Sequence, residues 1–263
     1  VETKILGLSG RKQAGKNSII NWIIGQQMIS TGIISYAKIN EKGQLVVPRT
    51  TEDGGNSEGI FDITSKRGDI QEYLKENVWG FIKPYSFADI LKESVIKIFG
   101  LSYESAYGTD EQKNIKTKFT WNNFWEFLSD DTKSMVTDKS ETLSCRHILQ
   151  IVGTDIFRRI YGNIWVEACL NKIREDCPEL AIIYDCRFIN EVEGIENSGG
   201  KVLRLLRSPF SGQDEHESEK ALDDYKFENI LDNRSMNIQE QNKAINELLK
   251  KWDFIPWMWK ESK

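Results

Sequence analysis

The chain has 263 residues, 39% hydrophobic and 29% charged, which is too apolar for a disordered polymer and enough for one large domain with a sizeable core. Thirty-five lysines and arginines face 40 aspartates and glutamates, a formal charge of −5, so no duplex nucleic-acid partner is expected, and a basic site would have to be a small pocket for a small anion. No apolar run approaches the roughly 20 residues of a membrane span, so no membrane partner is expected. Cys145, Cys169, Cys177 and Cys186 form no CxxC pair, which argues against a structural zinc site, and a reduced, cytoplasmic setting is the plain expectation.

Thr3 to Leu8 is a short apolar run suited to a buried parallel strand. From Lys16 the period turns helical, with Ile19, Ile20, Ile23 and Ile24 on one face. Ile33 to Ile39 and Gln44 to Val47 read as a hairpin around Glu41-Lys42-Gly43, and Thr50 to Gly59 as a polar loop. Gly68 to Asn77 is a short predicted helix, Trp79 to Tyr85 a strand, and Ala88 to Phe99 an amphipathic helix stopped by Gly100. Leu101 to Ser144 has no clean period and reads as an irregular insertion with short helices. Ser144 to Tyr161 is helical, broken at Gly153-Thr154-Asp155, and Ile164 to Arg174 is another helix. Strands at Leu180 to Tyr184, Lys201 to Leu206 and Phe227 to Leu231 then alternate with helices at Phe188 to Asn197 and Ile238 to Lys250. That alternation predicts an α/β fold with a parallel sheet flanked by helices. The expected core is 1–30, 79–100 and 145–263, with insertions at 31–78 and 101–144 and a lid-like loop at 208–219.

Gly10 to Lys16, G-R-K-Q-A-G-K, fits the G-x-x-x-x-G-K core of a phosphate-binding loop, with a strand before it and a helix after it. Small residues let backbone N–H groups converge on phosphate oxygens, and the helix N-terminus adds its positive end. Gly10, Ala14, Gly15, Lys16, Asn17 and Ser18 are therefore the candidate ATP-binding residues. A cation at a helix start is otherwise disfavoured, which singles out Lys16. The hydroxyl of Ser18 comes two places after the lysine, as in nucleoside monophosphate kinases, and is a candidate phosphate or Mg²⁺ ligand.

The second half of the chain supplies arginines that could hold a second anion. Arg146 and Gln150 share a helical face, and Arg158 follows three residues after Asp155. Asp185 and Arg187 follow a strand whose carboxyl end should border the ligand crevice. Asp185 reads as a metal-shell or acceptor-orienting carboxylate, or as a cap for the next helix. Arg207 follows another strand and could stack on adenine or clamp the transferred group.

Taken in order, Gly10 to Ser18, Ser86 to Glu93 (S-F-A-D-I-L-K-E), Arg146 to Arg158, Trp165, Asp185 to Glu191 (D-C-R-F-I-N-E) and His216 to Glu219 (H-E-S-E) resemble the deoxynucleoside monophosphate kinases of tailed bacteriophages. Tyr107 to Asn114 looks like versions from large phages. The resemblance spans nearly the whole chain and implies a P-loop kinase fold, ATP with Mg²⁺ as donor, and a deoxynucleoside 5′-monophosphate as acceptor. It also implies location in an infected host cell and makes a homodimer plausible. It places Asp89 and Lys92 on the acceptor side, although an exposed ion pair would explain the same spacing. It implies catalytic parts for Lys16, Arg146, Arg158, Asp185 and Arg207, acceptor contacts for Asp89, Lys92, Arg146, Gln150, Arg158 and Arg187, and metal contacts for Ser18 and Asp185. Asn17 departs from the family, which often carries Asp there. Two rivals stay open: a P-loop kinase for another acceptor, such as a hydroxymethyl pyrimidine base in DNA, and a non-catalytic ATP-binding regulatory module.

Overall fold

The computed structural model describes residues 2–51, 53–63, 65, 68–208 and 221–254. Most of the lid-like segment, with His216 and Glu219, and the terminal Trp257 and Trp259 lie outside them. The chain divides into two compact units, residues 1–85 with 171–263, and residues 86–170.

In the first unit β1 (Lys4–Ser9) leads through the glycine loop into α1 (Lys16–Ser30). β2 (Lys38–Ile39), β3 (Leu45–Thr50) and β4 (Asn56–Ile60) form an antiparallel sheet. The polar stretch Thr50 to Gly59 is thus not a loop throughout, since Asn56–Ile60 pairs along β3 from Thr50↔Asn56 to Val46↔Ile60. Its polarity has a simple cause: none of its five side chains is buried, so pairing rests on the backbone ladder. The expected strand from Ile33 shortens to two residues. α2 (Gly68–Asn77) follows as expected, and β5 (Ile82–Tyr85) begins three residues later than the strand expected from Trp79.

The second unit begins with α3 (Phe87–Phe99), capped by the Ser86 hydroxyl, which accepts from the Ala88 amide, and closed by Gly100 in the left-handed region. α4 (Tyr103–Tyr107) and α5 (Asp110–Asn114) are single short helices. β6 (Lys116–Thr120) pairs antiparallel with β7 (Thr142–Ser144), around α6 (Trp121–Phe124), a 3-10 turn at Trp125–Phe127 and α7 (Asp130–Met135). This ladder replaces part of the irregularity expected there. Val95, Phe124, Leu128, Leu143, Ile148, Ile151 and Val152 form the unit's own core. α8 (Cys145–Gln150) runs on into a π-helical segment, Ile151–Arg158, so Gly153 does not break the helix. The wider turn absorbs it: Leu91 packs where a Cβ on Gly153 would stand, and Trp165 Nε1 donates to the Gly153 carbonyl at 3.1 Å.

α9 (Ile164–Asp176) returns the chain to the first unit, where β8 (Leu180–Cys186), α10 (Ile189–Asn197), β9 (Lys201–Leu205), β10 (Asn229–Leu231) and α11 (Ile238–Lys251) complete it. The main sheet has five parallel strands in the order β10-β9-β1-β8-β5. β1 is therefore central, and its unbroken apolar run is what a strand covered on both faces requires. Leu6 and Leu8 join Ile19, Ile23, Ile24 and Met28 of α1, and Ile245 and Leu249 of α11, in the core. The α/β class and the parallel sheet expected from the sequence are what the structure contains. Among the described residues no helix is long and apolar enough to cross a membrane.

Candidate active site

The glycine loop leaves the carboxyl end of the central strand. Gly10, Gln13 and Gly15 take φ of 155°, 61° and 101°, so the backbone turns sharply three times in six residues. Gly15 is the N-cap of α1, and only glycine suits it: its backbone is left-handed, and a Cβ would stand 2.8 Å from Gln241 Oε1. Lys16 opens α1 at the helix's positive end. Its Nζ donates to the Gly10 carbonyl and, at 2.9 Å, to the Arg11 carbonyl, so the loop's own oxygens hold the ammonium. Asn17 is exposed and Ser18 partly buried. The turn of the β2–β3 hairpin sits on this helix start: Asn21 Nδ2 donates to the Gly43 carbonyl at 2.7 Å, and a Cβ on Gly43 would lie 2.1 Å from Ser18 Oγ.

Asp185 lies near the carboxyl end of β8, which runs two residues further than expected. Ser9, directly before the loop, pairs with Cys186, so Asp185 and the loop leave the same end of the sheet. Three residue steps of β8, from Ile183 to Cys186, face two of β1, from Gly7 to Ser9. Such a bulge re-aims a strand's side chains, a feature frequent beside active sites. Glu191, at the third position of the next helix, caps its start. Its buried carboxylate accepts the amides of Arg187 (2.7 Å) and Phe188 (3.1 Å). The Arg187 side chain is exposed. Burial, with the charges of Glu191 and Asp185, pushes the Cys186 thiol well up, so it stays protonated.

Three residues that sequence reasoning missed tie the loop to its surroundings. Asp223 bridges Arg11 of the loop (2.5 Å) and Arg204 of β9 (3.2 Å), and Arg204 also reaches the buried Ser9 hydroxyl at 3.0 Å. Asn233, after β10, and Gln241, on α11, are both buried and hydrogen-bonded to each other at 2.7 Å. Asn233 also reaches the Ala14 carbonyl at 2.8 Å. Their only sequence signal was polarity at positions where a helix-strand unit should be apolar. Arg207 joins this group: its amide donates to Asn233 Oδ1 at 2.9 Å, and its guanidinium to the carbonyls of Asn233 and Met236.

The remaining predicted residues belong to the second unit. Asp89 and Lys92 are 3.8 Å apart on α3, and the Lys92 ammonium lies 4.7 Å from the centre of the Tyr107 ring. Burial, then the negative charges of Asp89 and Glu93, raise the Tyr107 hydroxyl far above its usual range. Arg146 and Gln150 are both exposed, one turn apart on α8. Arg146 meets Asp110 at 2.7 Å. Arg158 closes the π segment, partly buried, while the buried Asp155 accepts from the Thr132 hydroxyl at 3.0 Å. The structure thus brings Gly10, Ala14, Gly15, Lys16, Asn17, Ser18, Asp185, Arg187 and Arg207 into one unit, and Asp89, Lys92, Arg146, Gln150 and Arg158 into the other. Among the described residues no cluster of three His, Cys, Asp or Glu could hold a metal by itself.

A family model described as deoxynucleotide monophosphate kinase matches residues 4–244. A protein of Acanthamoeba polyphaga mimivirus named "Putative deoxynucleotide monophosphate kinase" is 30% identical over 178 residues, which cover 61% of this chain and 79% of that protein.

Proposed function

This chain belongs to the deoxynucleotide monophosphate kinase family, and from that membership we propose how its residues divide the work of moving a phosphoryl group from ATP to a deoxynucleoside 5′-monophosphate. The observation that carries the reading is Lys16, held on the Gly10 and Arg11 carbonyls at the first turn of α1. A polyphosphate would bind this ammonium by charge-assisted hydrogen bonds, which are stronger than those to neutral carbonyls. The amides of the loop and of the α1 start would take the remaining phosphate oxygens.

Phosphoryl transfer asks little covalent chemistry of a protein; positioning and charge neutralisation supply most of the rate. Lys16 would neutralise charge on the transferring group. Arg146 and Arg158 would hold the acceptor phosphate in line, with Gln150, Asp89, Lys92 and Arg187 completing the acceptor contacts. Arg207, bonded as it is to two carbonyls, would act by fixing the turn after β10. Ser18 and Asp185 are hard oxygen donors that suit Mg²⁺, which binds through one or two protein ligands together with substrate phosphates and so needs no cage of its own. When bound it would offset negative charge on the phosphates. No water-positioning role is assigned, since acceptor and not water is the nucleophile.

The test is ADP formation from ATP and Mg²⁺ with each deoxynucleoside monophosphate in turn, beside a control without acceptor and the Lys16→Ala variant. Acceptor-dependent turnover that the variant loses by at least 100-fold, the scale of removing a transition-state charge contact, is expected. Equal rates with and without acceptor in folded protein would overturn the reading. The same plate reports base preference.

A further inference from the structure

We infer that Asn233 and Gln241 are positioning residues for ATP binding: a buried pair of carboxamides that aims the phosphate loop from beneath. The inference rests on the reading of Gly10 to Ser18 as the ATP-phosphate site.

Asn233 has no exposed surface, and Gln241 is 1% exposed. A buried carboxamide is costly unless its hydrogen-bonding capacity is used. Asn233 uses nearly all of it. Nδ2 donates one hydrogen to the Ala14 carbonyl (2.8 Å) and the other to Gln241 Oε1 (2.7 Å), while Oδ1 accepts the Arg207 amide (2.9 Å). The partners settle which atom is which, because Ala14 O can only accept and the Arg207 amide can only donate. Outside the carboxamide, the Arg207 guanidinium holds the Asn233 carbonyl, and the Asp232–Arg234 pair clamps the turn on either side of it.

The geometry gives the contact a purpose. Ala14 lies in the loop directly before its second glycine and is itself buried. In a trans peptide the carbonyl and the following N–H point in opposite directions. Anchoring Ala14 C=O on Asn233 therefore turns the Gly15 N–H away from Asn233. Gly15 is the helix cap, so that amide is one of the free donors of the α1 start. Gln241 occupies the space where any side chain on Gly15 would be. One amide holds the peptide and the other fills the place beside it. A loop with three positive-φ residues loses much backbone freedom when it is fixed, and this contact fixes its Ala14–Gly15 peptide. The cost of fixing it is met before ATP arrives, which lowers the cost of binding.

Two measurements test this. Calorimetric titration of ADP into wild-type protein and Lys16→Ala first tests the phosphate-loop reading; equal affinity there would remove the premise. With the premise standing, Asn233→Ala and the isosteric Asn233→Asp, whose carboxylate faces Ala14 O without a donor, should each raise KM for ATP and Kd for ADP on the order of tenfold. KM for the deoxynucleoside monophosphate should stay within about twofold. The same rise in both substrates' KM values, or a lowered Tm with unchanged nucleotide affinity, would make the pair merely structural and overturn the inference. Wild-type protein supplies a readout that needs no variant: exchange of the Gly15 amide should slow when ADP binds. An unchanged rate at saturating ADP would overturn the inference even if both variants failed to fold.

Discussion

At the scale of single residues, the glycine loop concentrates its demands in one contiguous stretch. Seven residues of G-x-x-x-x-G-K carry both the conformational demand and the charge, and the φ values of Gly10 and Gly15 show why glycine stands at each end. Other side chains do work that no motif announces. His147 is one. It occupies the place of Glu or Gln in a capping box: the Ser144 hydroxyl accepts the His147 amide, and His147 Nδ1 faces the Ser144 amide at 3.3 Å and hydroxyl at 3.0 Å. Burial, then the nearby Lys116, lowers the imidazole pKa, while Glu141 opposes them. A neutral ring is the state that can accept from the Ser144 amide. Because the folded pKa lies below the unfolded value of about 6.5, the unfolded chain takes up the proton first. The stability is therefore fully present above that value and lost as pH falls through the lowered one. His147→Gln keeps the capping acceptor without the titration. Thermal unfolding from pH 7.5 to 5 should show a smaller acid loss for the variant, whereas His147→Ala should cost about 1 kcal/mol already at pH 7.5. Parallel acid profiles for wild type and His147→Gln would remove the role.

Among the elements, the legible ones have a hydrophobic period that matches their burial. α1, α11 and the strands β1, β8 and β9 are of this kind, since each packs an apolar face into one core. β4 was missed because nothing in N-S-E-G-I alternates: its side chains stay out of the core, and pairing with β3 is backbone chemistry. Gly153 misled for a related reason. Glycine costs a helix about 1 kcal/mol relative to alanine, which reads as a break, but a π turn accommodates it. The turn has a specific partner, for the buried Trp165 indole donates to the Gly153 carbonyl. Trp165→Phe keeps most of the packing and removes only the donor. It should destabilise by about 1–3 kcal/mol, the cost of leaving a buried carbonyl unpaired. The expected outcome is a lower urea midpoint with an unchanged slope, and a midpoint equal to wild type would show that the indole contributes packing alone.

For the whole molecule, the chain order hides the division of labour. The residues proposed for the donor lie in 1–85 and 171–263, which form one unit, and those proposed for the acceptor lie in 86–170, the other unit, apart from Arg187. The donor side could be derived from its loop alone. The residues proposed for the acceptor are spread over α3, α8, the π segment and the turn after β8, with no fixed spacing; Arg146, Gln150 and Arg158 stood out as polar residues able to hold a second anion, and the ordered resemblance added Asp89 and Lys92. The division predicts a kinetic separation. Arg146 is paired with Asp110 in the structure, with 52% and 77% of the two side chains exposed. An ion pair so exposed is worth little, so an acceptor phosphate can displace the carboxylate at small cost. Arg146→Ala and Arg158→Ala should each raise KM for the deoxynucleoside monophosphate roughly tenfold or more, the value of a charge-assisted hydrogen bond, and leave KM for ATP within about twofold. Asn233→Ala should do the reverse. Arg146→Lys should recover only part of the loss, since a point charge cannot make the paired contacts of a guanidinium. Steady-state kinetics with each substrate varied at saturating levels of the other separates these outcomes. An Arg146→Ala enzyme whose acceptor KM matched wild type would reduce that arginine to the surface pair it makes with Asp110, and leave Arg158 to hold the acceptor phosphate alone.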